Sequence, residues 1–158
     1  MGRIGLKFLA FLCLLLVASV PGLADGAPAA ATLTVRVGNV SPRGGVLRMG
    51  LYDAARYKDD KADALMAADV PVTLGETVVV FRNVPPGRYA IEMFQDINAN
   101  GKMDTSLLGL PLEPYGFSRD ARPFLSKPGF GRVAFDLPPG ATTLTLHLQN
   151  SQPQMASR

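Results

Sequence analysis

From Thr32 onward, apolar side chains recur at every second position, and this alternation constrains the fold more than any other feature. Leu33, Val35 and Val37 alternate with Thr34 and Arg36, and Leu47, Met49 and Leu51 alternate with Arg48 and Gly50. Tyr89, Ile91 and Met93 do the same, as do Leu144, Leu146 and Leu148 near the end. A period of two buries one face of a β-strand and leaves the other in water. Turn chemistry separates these runs: Ser41-Pro42-Arg43-Gly44-Gly45, Gly75-Glu76, and two Pro-Pro-Gly steps ending at Gly87 and Gly140. The first turn predicts an antiparallel hairpin joining Thr32–Val40 to Val46–Tyr52. Gly87, third in its turn after Pro86, suits a type II geometry, and the repeat at Gly140 reads as the same hairpin chemistry.

Further strands are expected at 70–74 and 77–81, and at 132–137. The segment 53–68 breaks the alternation; it is rich in Ala, Lys and Asp, and Asp53 is placed to cap one or two helical turns. Tyr57, Leu65 and Met66 would face the domain from this crossover. The inventory is all-β: an antiparallel β-sandwich of about seven strands, Ig-like or transthyretin-like, with one long loop and at most one short helix. Nothing supplies the helical crossovers of a parallel α/β sheet.

The first 24 residues belong to a different physical regime. Arg3 and Lys7 flank a continuous apolar run, Phe8–Val20, followed by Pro21-Gly22 and the small residues before Asp25. This is the pattern of a cleaved secretory signal, and the run is shorter than the roughly 20 residues a membrane span needs. Residues 1–24 are therefore read as a signal peptide, 25–31 as a flexible leader, 32–149 as the domain and 150–158 as a disordered tail. The expected location is periplasmic or secreted, with no membrane insertion after cleavage. Without Arg3 and Lys7, 14 Lys and Arg face 13 Asp and Glu. That near-balance lacks the electrostatic footprint of a nucleic-acid binder. Cys13 also leaves with the signal, so the mature chain forms no internal disulfide despite entering a compartment that permits one.

One segment carries specific chemistry. Residues 96–104 read Asp-Ile-Asn-Ala-Asn-Gly-Lys-Met-Asp. Side-chain oxygens fall at loop positions one, three, five and nine, with Gly at six, which is the spacing by which an EF-hand loop surrounds calcium. Asp96, Asn98, Asn100, the Lys102 carbonyl and Asp104 would be the ligands. Leu107 stands where an EF-hand has its bidentate Glu, and no helices flank the loop, so a distant carboxylate would have to complete the site. Glu113 is nearest in sequence, with Asp53 or Asp120 as cross-fold alternatives. The competing reading needs no ion: Asn100-Gly101 is a strong turn dipeptide, and Asx side chains bond their own backbone. Calcium is the candidate cofactor, and no organic cofactor is implied.

The loop runs into Gly109-x-Pro111-x-Glu113-x-Tyr115-Gly116-Phe117-Ser118. Together with Asp96-x-Asn98-x-Asn100-Gly101-x-x-Asp104, Pro-Pro-Gly-Arg-Tyr-Ala-Ile at 85–91 and Gly50-Leu51-Tyr52-Asp53, it resembles the exported bacterial family catalogued as domain of unknown function 2141. The resemblance implies a secreted or periplasmic β-domain without an agreed activity. Members usually carry a His just before the first Asp of the loop and a Glu just after it. Here Gln95 and Ile97 occupy those places, so no ligand role carries over to them.

No catalytic residues are assigned. His147, the single histidine, has no nucleophile in its sequence surroundings, and no phosphate-binding loop or nucleophile elbow is present. Tyr115, Phe117, Phe124 and Phe130 lie among Pro and Gly, either as an exposed platform for a glycan or peptide or as pins for a loop folded over one end. The expected function is a non-enzymatic binding module for an unknown protein or glycan of the cell envelope. The alternatives are a metal-free structural envelope domain and an envelope-polymer hydrolase using a loop carboxylate such as Glu113.

Overall fold

Each alternating run forms a strand in the computed structural model, which describes residues 29–124 and 126–150. The segments expected as signal peptide, with Cys13, and as most of the leader, and the expected tail beyond Asn150, lie outside the described residues. The strands are β1 (Ala31–Gly38), β2 (Val46–Tyr52), β3 (Met66–Pro71), β4 (Thr77–Val84), β5 (Gly87–Asp96), β6 (Tyr115–Phe117), β7 (Phe135–Leu137) and β8 (Gly140–His147). Two short helices, α1 (Ala54–Lys58) and α2 (Phe130–Val133), and a 3-10 turn at Ser118–Asp120 complete the described elements. The expected single helix is α1, with the Asp53 carboxylate accepting the Ala55 and Arg56 amides. The second helix, α2, is one turn long, too short to leave a periodic trace in sequence.

Two sheets result. One has the order β4-β1-β8; the other runs β3-β2-β5-β6, with β7 also pairing to β5. They share one core, in which Leu33, Val35, Val37, Val79 and Phe81 of the first sheet meet Leu47, Met49, Leu51, Ile91 and Met93 of the second. Each such side chain contributes about 1.5–3 kcal/mol by leaving water. The period-two faces predicted these burials; some bounds and the partnering of the strands differ. The strand expected at 70–74 forms at 66–71, taking in the end of the expected crossover, and of 132–137 only 135–137 is strand, because 130–133 turn into α2.

The expected hairpin of the first two runs does not form. β1 pairs with β4 and β8, whereas β2 pairs with β3 and β5. Two strands with apolar inner faces can lie side by side or face to face, and the connection at 39–45 is long enough to step across the roughly 10 Å between sheets. Buried Gln95 braces that step: its Oε1 accepts the Ser41 amide at 2.7 Å, and its Nε2 donates to the Ser41 and Gly44 carbonyls. The Pro-Pro-Gly steps are likewise corners and not hairpins, each carrying the chain from one sheet to the other. Gly140 takes positive φ (96°), but Gly87 does not; Asn83, just before that corner, adopts the left-handed conformation instead. The first and last described strands, β1 and β8, run parallel, while every other described ladder is antiparallel.

Outside the main core, Tyr57 is buried beside Ala90 and Val133, with Tyr52, Phe117 and Phe130 against it. Its hydroxyl donates to the Pro128 carbonyl at 2.8 Å, tying α1 to the long loop. Phe130 is thus a pin, whereas Phe124 is 79% exposed. Ser118 holds the same region together: its fully buried Oγ accepts the Ile91 amide (2.9 Å) and donates to the Val133 carbonyl (2.6 Å). Ser118→Ala orphans a buried amide and a buried carbonyl, so a loss of about 2 kcal/mol is expected, read as a lower denaturant midpoint at unchanged slope. Among the described residues, no helix is long and apolar enough to cross a membrane.

Candidate functional site

The 96–104 loop begins where β5 ends. Its first carboxylate, Asp96, is buried and has three donors around it. Oδ1 accepts the Asn100 amide at 3.1 Å; Oδ2 accepts the Gly101 amide at 2.8 Å and the Arg48 Nε at 2.7 Å. Gly101 takes φ of 87°, which lets the chain fold back onto Asp96. Burial alone would raise the Asp96 pKa, but the Arg48 guanidinium and the two amides outweigh it and hold the carboxyl below its usual range. Arg48 lies on β2 and also pairs with Asp69 of β3, so one cation crosses the sheet to anchor the loop. Gly45 lies close beside this strand end: a Cβ there would stand 2.3 Å from the Asp96 carbonyl oxygen.

Glu113 closes the other side. It is 4% exposed, and its carboxylate spans the loop, accepting the Ile97 amide on Oε1 (2.8 Å) and the Asp104 amide on Oε2 (3.1 Å). Between these clamps the Asx side chains meet: Asn98 and Asn100 each donate an amide N–H to Asp104, at 2.7 and 2.9 Å. Their oxygens turn back onto the chain, Asn98 Oδ1 accepting the Asn100 amide and Asn100 Oδ1 the Lys102 amide. Asp96, Asn98, Asn100, Asp104 and Glu113 are therefore brought together as their spacing suggested. Their oxygens are engaged with backbone amides, side-chain amides and one guanidinium. The cross-fold alternatives are not brought there. Asp53 caps α1, and Asp120 accepts both the His147 amide and its Nδ1 at 2.8 Å. Among the described residues, no three His, Cys, Asp or Glu side chains converge as metal ligands.

Beyond the clamp, residues 105–111 form a small hairpin closed by a bridge between Thr105 and Pro111. Its tip points away from the protein, with Leu107 107% and Leu108 86% exposed, and Leu110 at 61%. One side of the hairpin borders a cleft of about 830 Å³ over the outer face of β2 and β5. Tyr52, Phe94, Tyr115 and Phe117 form its apolar wall, with Glu92 and Lys127 at the polar end. Lys127 Nζ stands 3.0 Å from the buried Glu92 Oε1 and 2.9 Å from Asp60, and lies over the Tyr57 ring. The Glu92 contact is an ion pair by distance.

Both Glu113 oxygens accept backbone amides, from Ile97 and Asp104. His147 and Asp120 form an exposed pair, and Ser41 borders the same depression, yet the Ser41 Oγ accepts the Arg43 amide and no hydrogen bond joins it to His147. Sequence reasoning does not single out Arg48, Gln95 and Ser118 as supports of the site. A buried Gln at the end of a strand and an Arg on an otherwise apolar strand are the available signals.

Fold and site together define a class: a two-sheet β-domain whose long loop is organised by buried carboxylates and presents an apolar tip. The chain belongs to the family of uncharacterised proteins conserved in bacteria known as domain of unknown function 2141, whose model matches residues 35–145. That span runs from β1 into β8 and includes the entire loop. No curated protein and no solved structure matches the chain.

Proposed function

We propose that the chain is an exported, non-enzymatic interaction module that engages a protein of the cell envelope through the 105–111 hairpin and the cleft beside it. The signal-like segment 1–24 supports export. The observation that carries the binding role is the exposure of Leu107, Leu108 and Leu110 on a hairpin whose base is held by Asp96 and Glu113. Contiguous apolar surface held rigidly in water is unfavourable unless a partner covers it. A leucine tip also suits an apolar protein pocket better than a glycan, which needs polar partners. A photo-crosslinking residue at position 108, introduced into the exported chain in bacteria, is expected to give one discrete protein adduct. Replacing Leu107 and Leu110 by Asp should abolish that adduct without changing the melting temperature. Absence of an adduct, or an adduct indifferent to those replacements, defeats the proposal.

A calcium-ordered loop is the second reading, with Asp96, Asn98, Asn100, the Lys102 carbonyl, Asp104 and Glu113 as ligands. Its support is the ligand spacing and the meeting of Asn98, Asn100 and Asp104. The Arg48 guanidinium on Asp96 and the amides on Glu113 favour the ion-free loop, because a cation would have to displace them. The expected result is a melting temperature that differs by less than about 2 °C between millimolar calcium and chelator. A rise of several degrees in calcium, lost in Asp104→Ala, would instead establish the ion.

A further inference from the structure

An exposed strand edge offers unpaired backbone groups to any other chain, and proteins usually blunt it with proline, charge, shortness or cover. Most edges here carry such a device. β3 has Asp69 and Pro71, β6 and β7 are three residues each, and the His147 amide of β8 is taken by Asp120. β4 differs. Among the described residues it pairs with β1 alone, is eight residues long, and contains neither Pro nor Lys; β8 matches it in these respects, but its C-terminal end lies against the Ser118–Asp120 turn. Thr77, Val79 and Phe81 point into the core, while Val78 and Val80 are 45% and 41% exposed.

The outward side chains along this edge read Glu76, Val78, Val80, Arg82. Glu76 lies on that face, since it accepts the Arg36 Nε at 3.1 Å from the neighbouring strand. Arg82 makes no ion pair among the described residues. At Asn83 (φ 56°) the ladder to β1 gains an extra residue, so the regular edge ends after Arg82. What remains, 76–82, is symmetric about Val79 and self-complementary: acid, valine, valine, base.

We propose that two copies of this chain pair through β4, antiparallel, about a two-fold axis at Val79. Cross-strand partners share a face, so the two-fold must fall on a residue. Centred on Val79, Glu76 lies opposite Arg82 of the second copy and Val78 opposite Val80, each contact occurring twice. Centring on Val78 or Val80 leaves the charges unmatched. The product is one six-stranded sheet, β8-β1-β4-β4-β1-β8, with four valines flanked by ion pairs on its outer face. Strand addition through one edge is a small interface, so the association is weak.

Sedimentation equilibrium from about 10 μM to about 1 mM tests this, the range in which small interfaces populate. The unaltered chain is expected to dimerise, and E76R and R82E each to weaken the dimer by roughly tenfold or more, because like charges then face each other. An equimolar mixture of the two variants is expected to recover dimerisation. In the mixed pair the introduced arginine meets the introduced glutamate, and the unaltered Glu76 of one copy still meets the unaltered Arg82 of the other. E76K and R82D replace any variant that lacks the parent circular dichroism spectrum. A monomer at every concentration, variants that dimerise as the parent does, or a mixture that fails to recover would each overturn the proposal.

Discussion

Glu113→Ala is expected to lower the unfolding free energy by about 3–6 kcal/mol, from two lost hydrogen bonds to a charged acceptor at about 1.5–3 kcal/mol each. The carboxylate is 4% exposed and the Ile97 and Asp104 amides point at it, so the truncation removes both acceptors. A domain of this size has a total stability of about 5–15 kcal/mol, so the variant should lose a substantial share of it. Chemical denaturation measures the loss, and hydrogen exchange locates it: the amides of 97 and 104 should lose protection before those of β2 or β5. Glu113→Gln, which keeps a carbonyl oxygen for one amide, should fall between parent and Ala. If Glu113→Ala stays within about 1 kcal/mol of the parent, the carboxylate is not the clamp that its contacts imply.

The second large effect concerns Asp96 and pH. The Arg48 guanidinium and the Gly101 and Asn100 amides hold its carboxyl below the unfolded value near 3.9. A carboxyl whose pKa is depressed by folding stabilises the fold above its unfolded pKa, and that contribution disappears as pH falls through the lower, folded value. The parent chain should therefore lose melting temperature as pH drops below about 4. Asp96→Asn removes the charge at every pH and leaves Arg48 without this partner at the loop, so it should melt well below the parent at pH 7. The gap should close in acid. Asp53, held low by the Arg56 amide, and Asp60, held low by Lys127, titrate in the same window. Only the difference between parent and variant isolates Asp96. A gap that stays constant from pH 7 to pH 2 would refute the assignment.

The loop also shows where sequence reasoning reached its limit. Asp96, Asn98, Asn100, Gly101 and Asp104 are close along the chain, so their convergence was legible from spacing and from the glycine. Glu113 was legible as the nearest downstream carboxylate, but its role was not: it accepts backbone amides, and amides carry no sequence signal. Arg48 lies 48 residues from Asp96. Its pairing depends on β2 lying beside β5, which alternation in either strand does not specify. Gln95, at the place where the family resemblance implied a His, braces the step between sheets from the inside.

Local order sufficed for β1, β2, β4, β5 and β8, their buried faces, the Asp53 cap and the turn at Gly101, because each follows from forces between residues a few positions apart; it misplaced β3 and did not reveal the three-residue β6. Which strands became neighbours was decided only in three dimensions. β1 and β2 show equally apolar inner faces whether paired edge to edge or stacked, and the stacked arrangement prevailed because it lets both bury those faces in one core. The same tertiary choice brought Arg48 to Asp96, made the Pro-Pro-Gly steps into corners and left β4 with an open edge.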